Sequence, residues 1–281
     1  MVDCHMHMVL DGHFWRSAID RHREKPDIPW IRGILKTYRQ KGFTYLRDCG
    51  DRWGVGETAR ALAPEYGITY RTPLASLYKK GHYGGIIGLP FETYGEFAAL
   101  VKENREKGAD FIKIMISGLM EFDHYGVLTE AGLEAEEIRE LIRIAHEEGM
   151  AVSVHGNGSA NVLAAAEAGV DSVEHGAYLN EETLCAMAEA GTVWVPTLST
   201  IGNLRGKGRF SEADVEKILD SALENVRKFA ALGGYIAPGS DAGAWEVPHG
   251  IRTEYSLLEQ ALGAHANSLL DAGTAVIQQK F

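Results

Sequence analysis

Six side chains in this sequence carry chemistry at telling places: His5 and His7 in Asp-Cys-His-Met-His, Lys113 in Phe-Ile-Lys-Ile-Met, His155 in Val-Ser-Val-His-Gly, His175 in Ser-Val-Glu-His-Gly, and Asp241 in Gly-Ser-Asp-Ala-Gly. His5 and His7 are two residues apart, so on a strand both imidazoles leave the same face and can grip one ion, whereas a helix would need a spacing of three or four. Taken singly, each residue has an ordinary reading. A lone histidine is commonly a hydrogen-bonded core residue, a strand lysine lies at an edge, and an aspartate in a glycine-rich turn bonds its own backbone. Each of the six, however, ends a segment that reads as a β-strand, and together they read as a centre for divalent cations.

Imidazole and carboxylate donors without thiolate favour Zn²⁺, with Mn²⁺, Fe²⁺ or Co²⁺ as possible substitutes. Lys113 is the less obvious member. Desolvation and nearby cations depress a buried lysine's pKa, and a neutral amine reacts with carbon dioxide to give a carbamate. That anion has two oxygens and can bridge a pair of ions about 4 Å apart.

The elements that must position these residues follow from a recurring unit, in which a helical stretch ends at a glycine and leads within a few residues into a short apolar strand with a polar end. Gly42, Gly67, Gly108, Gly149, Gly169, Gly191 and Gly233 precede strands beginning near Tyr45, Ile68, Phe111, Val152, Val173, Val193 and Tyr235. Glycine closes a helix in the left-handed conformation without steric cost. With the strand leading into His5 and His7, eight strands alternate with helices, which predicts a closed, parallel (β/α)8 barrel of the TIM type. Within the fourth strand Ile112, Ile114 and Ile116 share the face toward the helices, and Lys113 points inward. The spacing predicts amphipathic helices over 134–148 and 212–231. Polar loops over 78–88, 118–126 and 201–210 fall on the rim where barrel enzymes select substrates.

The set of strand-one His-x-His, strand-four lysine, strand-five and strand-six histidines and strand-eight aspartate resembles the amidohydrolase superfamily, and the stretches 111–197 and 235–242 resemble its prolidase and imidazolonepropionase-like branch. The resemblance implies a metal-dependent hydrolase of C–N amide bonds in small peptides, N-acyl amino acids or cyclic amides. It implies that His5, His7 and Asp241 hold the more buried of two zinc ions, that His155 and His175 hold the other, and that a carboxylated Lys113 bridges them. A shared hydroxide would then attack the carbonyl, and Asp241 would carry its proton to the leaving nitrogen. Members of this branch usually carry an accessory β-sandwich, and a single barrel domain over residues 1–281 without it is expected here. Related deaminases place a glutamate three residues after the strand-five histidine; Gly158 stands there, which disfavours deamination. Lactone or phosphoester cleavage at the same centre, and a silent scaffold on the same barrel, remain the alternatives. For a substrate carboxylate the candidates are His124, Tyr125 and Arg205, while His13, His22, His82, His146, His249 and His265 read as structural or surface residues.

Composition agrees with small-molecule chemistry. The net charge of −11 and the absence of a basic run disfavour nucleic acid and anionic membranes as partners, while a homo-oligomer stays possible. Cys4, Cys49 and Cys185 form no Cys-x-x-Cys pair, and no basic-then-apolar leader opens the chain, so a cytoplasmic protein is expected.

Overall fold

In the computed structural model, which describes residues 1–281, ten parallel strands are interspersed with helices, with no helix between the third, fourth and fifth: β1 (Val2–Met6), β2 (Tyr45–Asp48), β3 (Thr69–Arg71), β4 (Ser76–Lys79), β5 (Leu89–Phe91), β6 (Ile112–Met115), β7 (Val152–Gly156), β8 (Ser172–His175), β9 (Val193–Val195) and β10 (Tyr235–Ile236). Two ladders run β1-β2-β3 and β10-β9-β8-β7-β6-β4-β5. The chain following β10 joins them, because Cys4 N donates to Pro238 O (2.8 Å), Asp241 N to His5 O (2.7 Å) and His7 N to Ala242 O (2.7 Å). A parallel wall of eight staves therefore closes on itself as a TIM-type barrel.

The third stave departs from expectation. A single strand at 68–70 was anticipated, and the wall instead contains two short pieces, β3 bonded to β2 and β4 bonded to β6. The cause lies in Thr72-Pro73-Leu74: Pro73 has no N–H to give the ladder, and Leu74 takes a φ of 62°. β5, pairing along the other edge of β4, was not anticipated either, and Tyr78 and Lys79 belong to β4 rather than to a rim loop.

The helices settle where hydrophobic spacing puts them. Ala135–Glu147 buries Ile138, Leu141, Ile142 and Ala145, and these pack with the outward Ile112, Ile114 and Ile116 in one buried cluster. Each such side chain contributes about 1.5–3 kcal/mol when withdrawn from water. Glu212–Ala231 has the boundaries the sequence suggests, capped by Ser211, whose side chain accepts from Asp214 N. Gly108 and Gly149 end their helices at φ values of 80° and 74° with open space around them, so backbone conformation rather than crowding requires glycine there. At the N-terminal end of the barrel Phe111 meets Phe281 edge-to-face at 5.2 Å, and Val193, Ala237 and Ile277 complete the plug. The opposite end stays open. No helix is long and apolar enough to cross a membrane.

Candidate metal centre

Alternation along the strands delivers most of the centre. Arg47, Lys113, Ser153, His155 and Glu174 project inward while Leu46, Ile114, Val154 and Val173 pack under the helices. His175 does not follow this rule: Glu174 takes the inward position, so the next residue on a regular strand would face the helices. A φ of 68° turns it back toward the barrel mouth, and Asp241 (58°) is aimed in the same way. Such conformations are uncommon for non-glycine residues and collect at functional sites.

The structure brings His5, His7, Lys113, His155, His175 and Asp241 together on the floor of one cavity of about 550 Å³. Ring centroids of His5 and His7 are 5.3 Å apart, those of His5 and His175 4.9 Å, and those of His155 and His175 4.6 Å. Donor atoms of His5, His175 and Asp241 all lie within 4.8 Å of one another. Asp241 Oδ1 is 3.4 Å from His5 Nε2 and 3.1 Å from His7 Nε2, yet His5 Nε2 and Asp241 Oδ1 are both buried without a properly oriented hydrogen bond. Lys113 Nζ is likewise buried and without a partner. Atoms that close together but not aimed at each other point to a shared centre, and a buried polar group left unsatisfied costs about 1–3 kcal/mol.

The outer nitrogens, in contrast, are held. His5 Nδ1 meets Glu174 Oε2 at 2.7 Å, His175 Nδ1 meets Thr197 Oγ1 at 2.8 Å, and His155 Nε2 meets Gly118 O at 3.1 Å. Metal-binding imidazoles are oriented in this way by partners on their far side. The charge states of His155, His175 and Asp241 agree with that role. Burial, and then the Lys113 charge, lower His155 to about 3, and burial followed by the His155 charge holds His175 well below the histidine range. Both are free imidazoles at neutral pH. Burial alone would raise Asp241, but His5 and His7 more than offset it and keep the carboxyl well below its usual range. Burial also lowers Lys113, toward the neutral amine that a carbamate requires. The imidazoles of His155 and His175 and the Asp241 carboxylate, set around orphaned atoms, fit a divalent cation; burial would lower His5, but Cys49 and then Asp241 raise it well above the histidine range, so an ion bound there displaces a proton from it.

Residues 2–275 match the family model of the amidohydrolase family. The chain belongs to that family. Among curated relatives, the ochratoxinase of Aspergillus niger is 28% identical over 320 residues, covering 96% of this chain and 64% of that protein, so the chain spans just under two thirds of its length. An uncharacterised protein of Mycobacterium tuberculosis is 24% identical across 97% of the chain and 70% of its own. Among solved structures, a Xaa-Pro dipeptidase with bound methionine in the active site superposes with a TM-score of 0.78 at 22% identity, over 100% of this chain and 75% of that one. The A. niger ochratoxinase structure follows at 0.77 and 23%, over 99% and 70%.

Two features of the chain escaped the sequence reading. Glu174, fully buried, ties His5 to Arg47 (2.7 Å), Ser153 (2.8 Å) and Ser172 (2.7 Å); its only signal was its inward register beside His175. The cavity above the centre is the second, lined by Leu119, Met120, Phe122, Tyr83, Phe210 and Trp245 among others, with His13 at the edge. His124, Tyr125 and Arg205 do not line it. His124 pairs with Glu121 at 3.2 Å, Tyr125 donates to Ser221 Oγ at 3.1 Å, and Arg205 pairs with Glu216 at 2.7 Å. Neighbouring side chains of the loop and of the helix Glu212–Ala231 engage all three.

Gly239 lets the turn after β10 lie against β1. A Cβ there would stand 2.4 Å from Val195 Cγ1, 2.7 Å from His5 Cβ and 2.8 Å from His5 N. Gly239→Ala is expected to destabilise the fold by about 1–3 kcal/mol through overpacking and to weaken metal uptake by displacing His5. Denaturant titration alongside metal analysis checks both.

Proposed function

We propose that this chain hydrolyses a C–N amide bond in a small peptide, N-acyl amino acid or cyclic amide, using zinc held by His5, His7, Lys113, His155, His175 and Asp241. The observation that carries the reading is the convergence of orphaned, buried donor atoms on the floor of a largely apolar cavity. A divalent ion there supplies Lewis acidity and lowers the pKa of a bound water to the neutral range. The chain's own residues supply the rest. Asp241 is ionised and placed to accept a proton and return it to the leaving nitrogen. The aromatic and aliphatic walls exclude water and receive apolar flanks of the substrate. Arg209, stacked 4.0 Å over Trp245 at the rim, offers a positive charge to a substrate carboxylate. The names of the relatives, an ochratoxinase and a Xaa-Pro dipeptidase, support amide chemistry.

The test is a panel of dipeptides, N-acyl amino acids, lactones and phosphoesters offered to zinc-loaded protein. Turnover of amides is expected, preferentially those with apolar flanks. Turnover confined to lactones or phosphoesters would replace this reading with esterase chemistry. Lys113→Ala is expected to lose the second ion and most activity, with metal content measured beside the rate; a variant with wild-type turnover would show that no bridge is needed.

A further inference from the structure

Cys49 is a thiol to which the ligand set above gives no task. It follows β2, is 1% exposed and forms no disulfide. Continuing the inward register of Tyr45 and Arg47 turns its side chain to the barrel interior. Cys49 N donates to Met6 O at 2.9 Å, and Met6 sits between His5 and His7. The register of β1 against β2 thus sets the sulfur beside both imidazoles. Its Sγ and one nitrogen from each of His5 and His7 form a cluster in which every donor lies within 4.8 Å of the others.

A buried cysteine ordinarily serves as a small apolar filler, and Cys4 shows what that looks like. Cys4 packs with Phe111, Val193 and Phe281, and burial pushes its thiol up to about 12. Cys49 belongs to none of the apolar clusters. Its close neighbours are instead the imidazoles of His5 and His7, and His5 Nε2 and His7 Nδ1 are both buried with no hydrogen bond. A packing residue has no reason to sit among orphaned nitrogens. A ligand does.

We propose that Cys49, as a thiolate, is a further ligand of the ion held by His5 and His7. The inference rests on the metal-centre reading above. On binding, the S–H proton leaves to solvent and a sulfur lone pair forms the bond to the metal, with no change of oxidation state. Thiolate ligation selects zinc and cobalt over manganese and magnesium, because a soft donor favours the softer ions.

Cobalt(II) loading of the whole chain tests this without reference to turnover. Wild type is expected to show sulfur-to-cobalt charge transfer in the near ultraviolet together with visible d–d bands. Cys49→Ser and Cys49→Ala are expected to lose the charge-transfer band, and Cys4→Ser to keep it. X-ray absorption of the zinc-loaded wild type needs no variant and should contain a sulfur scatterer at about 2.3 Å. Stoichiometric metal with visible bands but without charge transfer, or a first shell of nitrogen and oxygen alone, would overturn the thiolate and leave the centre standing. Failure to take up either metal would overturn both.

Discussion

Asp241→Asn is expected to lower kcat for amide hydrolysis by about two to four orders of magnitude, the usual contribution of a positioned proton carrier, while leaving the barrel folded. Asparagine has the volume of aspartate and retains one carbonyl oxygen, and the turn that aims the side chain depends on backbone atoms. Asp241 N donates to His5 O at 2.7 Å, and asparagine tolerates the positive φ of 58° found there. What disappears is the anionic oxygen that stands 3.1 Å from His7 Nε2 and 3.4 Å from His5 Nε2. Burial would by itself protonate that carboxyl, and the two imidazoles prevent it. The wild-type carboxylate therefore stays ionised across the neutral range, as the proposed proton carrier requires, while an amide can neither accept the proton nor return it. Rates and zinc content measured together separate the two roles of this residue. A variant that keeps its metal but loses kcat identifies the proton carrier, one that loses metal in proportion to rate identifies a ligand, and one with unchanged kcat removes Asp241 from the reaction.

The barrel is legible in the sequence because each of its repeats is local. A helix stripe such as Ile138, Leu141, Ile142 and Ala145, a glycine and a short apolar run fall within one window, and their order dictates a parallel wall. The third stave was misread for an equally local reason, since a strand broken at Pro73 and resumed at Ser76 shows two weak segments rather than one strong one. The six candidate ligands stand out because strand ends are where polar residues interrupt apolar runs. Alternation alone, however, would have sent His175 outward behind Glu174; only the left-handed backbone at His175 turns it in, and nothing in the residue type announces that. Partners 40 or more residues apart are harder still. Arg47 and Glu174 meet across 127 residues, and Cys49 reaches His5 through strand pairing that no spacing encodes. Loop residues such as His124 and Arg205 looked available because their nearest competitors, Glu121 and Glu216, become neighbours only once the loops and the adjoining helix take their shape.

Glu174→Ala is expected to cost about 3–5 kcal/mol of stability, the usual penalty for removing one partner of a buried ion pair. Total domain stabilities are about 5–15 kcal/mol, so such a loss is severe. Both side chains of the pair are at most 1% exposed. Without the carboxylate, the Arg47 guanidinium keeps Cys4 O (2.6 Å), Ser172 Oγ (3.0 Å) and the rings of Phe281 and Phe111, 4.6 and 5.5 Å away. None of these neutralises a charge. Burial would raise Glu174, but Arg47, then Lys113 and the hydrogen bond to His5, hold it well below the ordinary carboxylate range. Because the folded value is depressed, its share of stability is in place above the unfolded value of about 4.3 and is lost as pH falls through the folded one. Glu174→Gln, which keeps the shape, should flatten that acid dependence and suffer less than Ala. The same carboxylate orients His5, so either variant should also weaken zinc binding by about 10–100-fold. Urea titrations at neutral and acidic pH measure the first effect, and metal competition the second. The decisive comparison is Arg47→Met/Glu174→Leu. Replacing both charges by apolar groups removes the unpaired ion as well as the pair, so the double variant should be more stable than Glu174→Ala. A double variant as unstable as the sum of its parts would mean that the packing of these two side chains, rather than their charge, holds the barrel floor together.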